Sequence, residues 1–65
     1  MKTYNGQLSK RQWAWIEAVA AAAAEAYRRG ARDINEDVAR RGATMPARMV
    51  GIAEARARDM AGIPG

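Results

Sequence analysis

Residues 9–30 read SKRQWAWIEAVAAAAAEAYRRG, and this stretch decides the fold. Alanine dominates it, and alanine has the highest helix propensity of any residue. Ser9 can cap the first turn, and Gln12 three residues later completes a capping box. Gly30 stands where a left-handed C-terminal cap is expected. Arg28 and Arg29 precede it, against the negative end of the helix dipole. The pattern predicts a helix from about residue 9 to residue 29. At ~100° per residue, Trp13, Ile16, Ala20, Ala23, Ala24 and Tyr27 share one face. Trp15, Val19, Ala22 and Ala26 flank that face, and Lys10, Arg11, Glu17, Glu25, Arg28 and Arg29 gather opposite. The apolar arc is wider than one seam needs, so more than one neighbour is expected to cover it. Small side chains let helix axes approach near the short end of the ~8–10 Å range. A copy of the same helix or the last helix of the chain would satisfy that face equally well.

Working outward toward the N-terminus, residues 1–8 read as an irregular arm. Asn5-Gly6 is a turn dipeptide, and Tyr4 and Leu8 are placed to tuck the arm onto the body. Residues 9–65 form a single helical domain. Toward the C-terminus, a short second helix is expected over about 34–41. Asp33 and Glu36 give the D-x-x-E form of the capping box. Glu36–Arg40 and Asp37–Arg41 are pairs four apart with the acid first, the favourable order. Its apolar stripe is Ile34, Val38 and Ala39, and Gly42 ends it. A third helix is expected over about 45–61, with Thr44 as N-cap, Pro46 tolerated in the first turn, and Gly62 and Pro64 as stops. Met45, Met49, Ile52, Ala53 and Met60 share its apolar face, with Val50, Ala57 and Ala61 extending it. Gly51 inside this helix costs ~1 kcal/mol against alanine and would let another helix come close. Arg56 projects into the apolar face, to reach the edge or to meet a carboxylate from another helix. The fold class is all-α with three unequal helices.

Size then bears on assembly. A chain of 65 residues buries only ~60% of its unfolded surface, and domains this small usually need a staple. There is no cysteine and no histidine, so disulfides, thiolate metal sites and the commonest acid–base group are excluded. Self-association is the staple left, and a homodimer is expected through the alanine face of the first helix or the methionine face of the third.

Chemistry finds few residues to work with. The only serine, Ser9, is used as a cap, and every acid has a capping role or a helical partner nearby. No glycine-rich loop follows a strand, and no D-x-D cluster suggests a metal. We expect no enzyme, no cofactor and no metal. Lys2 before the alanine run hints at a signal peptide, but Glu17 and Glu25 interrupt the run, and a spanning segment needs ~20 residues nearly free of charge. No membrane association is expected, and the cytoplasm is the expected compartment (the host's, if the chain is phage-encoded).

What remains is binding. Eleven Lys and Arg against seven Asp and Glu leave a net charge of +4, and nine of the eleven bases are arginine. Arginine forms two-pronged bonds to carboxylate and phosphate, so an acidic partner is favoured. The candidate protein-binding or dimer surface comprises Trp13, Trp15, Ile16, Ala20, Ala23, Tyr27, Met45, Met49 and Val50. Two tryptophans two residues apart cannot face the same way on a helix, so one is expected in the core and the other as an exposed anchor. The expectation is a small regulatory or inhibitory protein acting by protein–protein contact, of the size and basicity common among accessory factors of phages and mobile elements.

Nucleic acid is the alternative partner. The second helix, a turn and the third helix outline a helix-turn-helix unit, with Val38, Ala39, Met49 and Ile52 at packed positions and Ala43 in the turn. Base readout wants Arg, Lys, Asn or Gln on the second helix of such a unit. This chain puts Met45, Pro46, Ala47, Val50 and Gly51 there, with Arg48 nearby. Phosphate contact would fall to Arg28, Arg29, Arg32, Arg40, Arg41 and Arg48. A structural subunit of a larger assembly is the third reading.

Overall fold

The computed structural model describes residues 8–63 and has three helices: α1 (Lys10–Arg28), α2 (Ile34–Arg41) and α3 (Ala47–Ala61). The fold is all-α. The arm over residues 1–7, with Tyr4 and Asn5-Gly6, and the stop at Pro64 lie outside the described residues. Leu8, at the edge of the arm, packs half-buried against the core.

Most helix ends follow from their sequence signals. The Gln12 backbone N–H donates to Ser9 Oγ at 3.1 Å, and the Ser9 N–H donates to Gln12 Oε1 at 2.8 Å. Two orphan donors are thereby satisfied. At the other end Gly30, at φ 118°, turns the chain so that its N–H reaches the Tyr27 carbonyl. The Ala31 N–H reaches the Ala26 carbonyl, completing the pair of bonds of a Schellman turn. α2 opens on Asp33, whose carboxylate accepts from the Asn35 and Glu36 N–H groups at 3.0 and 3.1 Å. At the end of α3, Gly62 at φ 77° repeats the device of α1, with the Ile63 N–H on the Arg58 carbonyl.

The start of α3 differs from expectation. The helix begins at Ala47, not Met45, and Pro46 occupies the N-cap position with no side-chain cap bond. Proline disfavours a helical conformation in the residue before it, so Met45 cannot be the first helical residue and Thr44 has no helix to cap. Met45 instead lies in the connecting turn, its N–H on the Gly42 carbonyl at 2.9 Å. Freed from the helix, its side chain drops into the core.

That core is built from Ile16, Val19, Ala20, Ala23 and Ala24 of α1, Ile34 and Val38 of α2, Met45, and Met49, Ala53 and Ala57 of α3. Alanine supplies nearly half of it, and small side chains bring helix axes together. α1 and α3 share the largest contact. Arg28, closing α1, donates to the Met60 carbonyl near the end of α3 at 3.0 Å. The two helices therefore end on the same side. Arg58 of α3 donates to Asn35 at the start of α2, so α2 runs the opposite way, as short connections require.

α2 corrects a second expectation. Ala39, expected in the apolar stripe, is exposed, and Asp37, expected as the helical partner of Arg41, is buried at 4% exposure. Asp37 stands three residues from Ile34 and so shares its face, whereas Ala39 points away. The carboxylate is tolerated because it is saturated: Arg41 Nε binds one oxygen at 2.6 Å, and Arg40 binds the other. Arg40 therefore pairs with Asp37, the acid three residues before it.

Candidate functional site

The first helix carries the surface of interest. Its inner side is closed by α2 and α3, which bury Ile16, Val19, Ala20, Ala23 and Ala24. Three aromatic side chains of the same helix stay outside: Trp13 and Trp15 are each 38% exposed and Tyr27 is 36% exposed. The expectation that one tryptophan enters the core is thus overturned. Trp13 and Tyr27 share the direction of the core face but sit near the two ends of the helix. The core closes on shorter residues between them. Trp15, one turn before buried Val19, flanks the core face and is as exposed as Trp13.

The interface candidates divide accordingly. Ile16, Ala20, Ala23, Met45 and Met49 come together, but inside the chain, as mutual core contacts. A partner reaching them would have to open the bundle. Val50 is half-buried at the margin of that core. Trp13, Trp15 and Tyr27 are left as surface residues.

Outside Trp15 runs an unpartnered helix face. Ala14, Ala18 and Ala21 are exposed, and Ala22 and Ala26 half-exposed. Arg11 and Glu25 stand toward its two ends. Ala22 and Ala26 floor a shallow, open groove whose walls are Glu25, Arg29 and Arg41. The alanine run fills two faces of α1, one buried and one open.

Most of the arginines considered for phosphate are already engaged. Glu25 takes Arg28 Nη1 at 3.2 Å and Arg29 Nε at 3.1 Å, and Asp37 takes Arg40 and Arg41. Arg32 and Arg48 are exposed. Because α3 starts at Ala47, Met45 is no longer on a readout helix. Ala47, Arg48, Val50 and Gly51 remain at its start.

One ion pair was half legible. Arg56, expected to reach the edge or another helix's carboxylate, meets Glu17 of α1 with two prongs, Nε–Oε2 at 2.9 Å and Nη2–Oε1 at 3.3 Å. Glu17, expected on the polar side, lies beside Ala24 at the edge of the buried arc, seven residues and two turns before it, and that spacing is the sequence signal for this contact. The hydrogen bonds that Arg56 donates to Glu17, and then the Glu17 charge, raise the Arg56 pKa above the ordinary arginine value. A raised pKa keeps the arginine side of this contact intact below the ordinary arginine value and lost only above it. It does not titrate in neutral buffers. The pair is well exposed, so its role is alignment of α1 on α3 more than stability.

Among the described residues no group of Asp and Glu is placed to hold a metal ion, and no helix is long and apolar enough to cross a membrane. Comparison with protein-family models, with curated proteins and with solved structures finds no match for this chain.

Proposed function

We propose that the chain is a small, non-enzymatic regulatory or inhibitory protein that acts by protein–protein contact through α1. One observation carries this reading: a core closed without them leaves Trp13, Trp15 and Tyr27 on the surface of a single helix. Tryptophan and tyrosine anchor protein interfaces, because a large apolar ring comes with a polar handle and few rotatable bonds. Lys10 and Arg11 beside Trp13, and Arg28 and Arg29 beside Tyr27, favour a partner with acidic groups around an apolar patch.

Nucleic acid stands second. Arg28, Arg29, Arg40 and Arg41 each satisfy a carboxylate of the chain itself, and phosphate would have to displace it. No particular feature favours the structural-subunit reading.

The test is capture from a lysate of the source cell by the immobilised chain, repeated with Trp13→Ala, Trp15→Ala and Tyr27→Ala. At least one substitution is expected to cut retention of a specific protein by about tenfold or more, the scale of an anchor residue. Undiminished capture by all three variants would remove the reading. A parallel titration with random duplex DNA at ~50 mM salt, where phosphate contacts are strongest, separates the alternative.

A further inference from the structure

The outer face of α1 is long, regular and uncovered. Arg11, Ala14, Trp15, Ala18, Ala21, Ala22 and Glu25 recur at spacings of three and four, the spacing of a helix–helix seam. None of them belongs to the core, and only Ala22 is even half-buried. Among the described residues the core numbers eleven side chains, five of them alanine, which is small for a domain without disulfides.

From this face we infer that a second copy of the chain docks on α1, antiparallel, with Ala18 on the two-fold axis. That register sets Ala14 opposite the partner's Ala22 and Trp15 opposite the partner's Ala21. Each large ring thus meets a small residue, and the axes can close to ordinary helix-packing distance. The same register sets Arg11 opposite the partner's Glu25, twice by symmetry. Among the described residues Arg11 has no ion pair of its own, and Glu25 is half-exposed with lone pairs to spare beyond Arg28 and Arg29.

Charge selects this arrangement over its neighbours. A parallel pair would set Arg11 on Arg11 and Glu25 on Glu25. Sliding the antiparallel pair by one turn toward the C-terminus would set Arg11 against the partner's Arg29. Only the register centred on Ala18 joins small residues to small residues and opposite charges to each other. The interface differs from the one expected from sequence, because the face of Ile16, Ala20 and Ala23 is consumed by the chain's own core.

The dimer covers Trp15 and Arg11 and leaves Trp13 and Tyr27, on the other side of α1, for a target; its test needs only the purified chain, so a monomer would leave the target-binding reading standing and a failed capture would leave the dimer. Sedimentation at high micromolar concentration is expected to give twice the 7.1 kDa chain mass. Ala18→Glu is expected to return it to the monomer with helicity by circular dichroism retained, since Ala18 is exposed. Arg11→Glu is expected to weaken the dimer by about tenfold or more. The same change puts an acid in the first turn of α1, where it favours the monomer helix. Combining it with Glu25→Arg exchanges the charges and is expected to restore the dimer. Ala18→Cys, the only thiol in the chain, is expected to crosslink under mild oxidation, because Cα atoms facing across axes ~9–10 Å apart stand ~4.4–5.4 Å from each other, within disulfide range. A monomeric wild type, a dimer indifferent to Ala18→Glu, or a charge exchange that restores nothing would overturn the assignment.

Discussion

Two glycines show how differently one residue type is used. A Cβ built on Gly51 meets nothing within 4 Å, and the position is exposed in mid-α3. Nothing among the described residues approaches it, so the close helix contact expected there is not made within the bundle of α1, α2 and α3. Gly51→Ala is expected to stabilise by about 1 kcal/mol, read as a rise of roughly 4–8 °C in midpoint. A Cβ on Gly42 would stand 2.7 Å from Met45 Sδ and 3.2 Å from the Val38 carbonyl oxygen. Met45 is buried and the carbonyl is fixed by the helix. Gly42→Ala is therefore expected to cost about 1–3 kcal/mol of stability and to lower the midpoint accordingly. The two substitutions look alike in sequence. Opposite signs in paired thermal melts are the expected result, and equal signs would contradict the packing around Met45.

The helices were legible to different degrees. α1 announced both its ends, because Ser9, Gln12 and Gly30 act locally and their bonds close within a few residues. α2 announced its start through Asp33. α3 did not, because Thr44 carries the right side chain in the wrong place: Pro46 constrains the residue before it and pushes the helix start past Met45. The energetic consequence is testable. Ser9→Ala is expected to cost about 1 kcal/mol by removing a cap whose bond is made. Thr44→Ala is expected to change stability by less than about 0.5 kcal/mol, since the residue is exposed and caps nothing. Urea midpoints of the two variants check it. A Thr44→Ala loss as large as that of Ser9→Ala would restore Thr44 as the cap.

At the scale of the molecule, stability rests on a few branched or long side chains among alanines. Ile16, Met49 and Val38 are the largest fully buried ones. A domain of this length has roughly 3–10 kcal/mol of net stability, and truncating a buried isoleucine to alanine costs about 2–5 kcal/mol. Ile16→Ala is thus expected to leave the chain partly unfolded at room temperature, by circular dichroism. Full helicity and an unchanged midpoint would mean that Ile16 is not in the core. Dimerisation would soften the effect as concentration rises, because only the folded chain pairs.

Sequence alone determined the all-α class, the number of helices and most of their ends, because propensity, caps and short-range pairs act within one or two turns. It also marked Arg56 as a residue needing a carboxylate from elsewhere. It picked the inward side of α1 as well, because Ile16, Ala20, Ala23 and Ala24 recur at helical spacing with most of the charges opposite, and these residues are the ones buried. Only the tertiary structure decided how much of that face is covered, and with it the fate of the aromatic residues. Spacing gives a direction around the helix axis, not the extent of the neighbours, so the pattern could not tell that Val38, Met45 and Met49 close the core on the middle of α1 and leave Trp13, Trp15 and Tyr27 exposed.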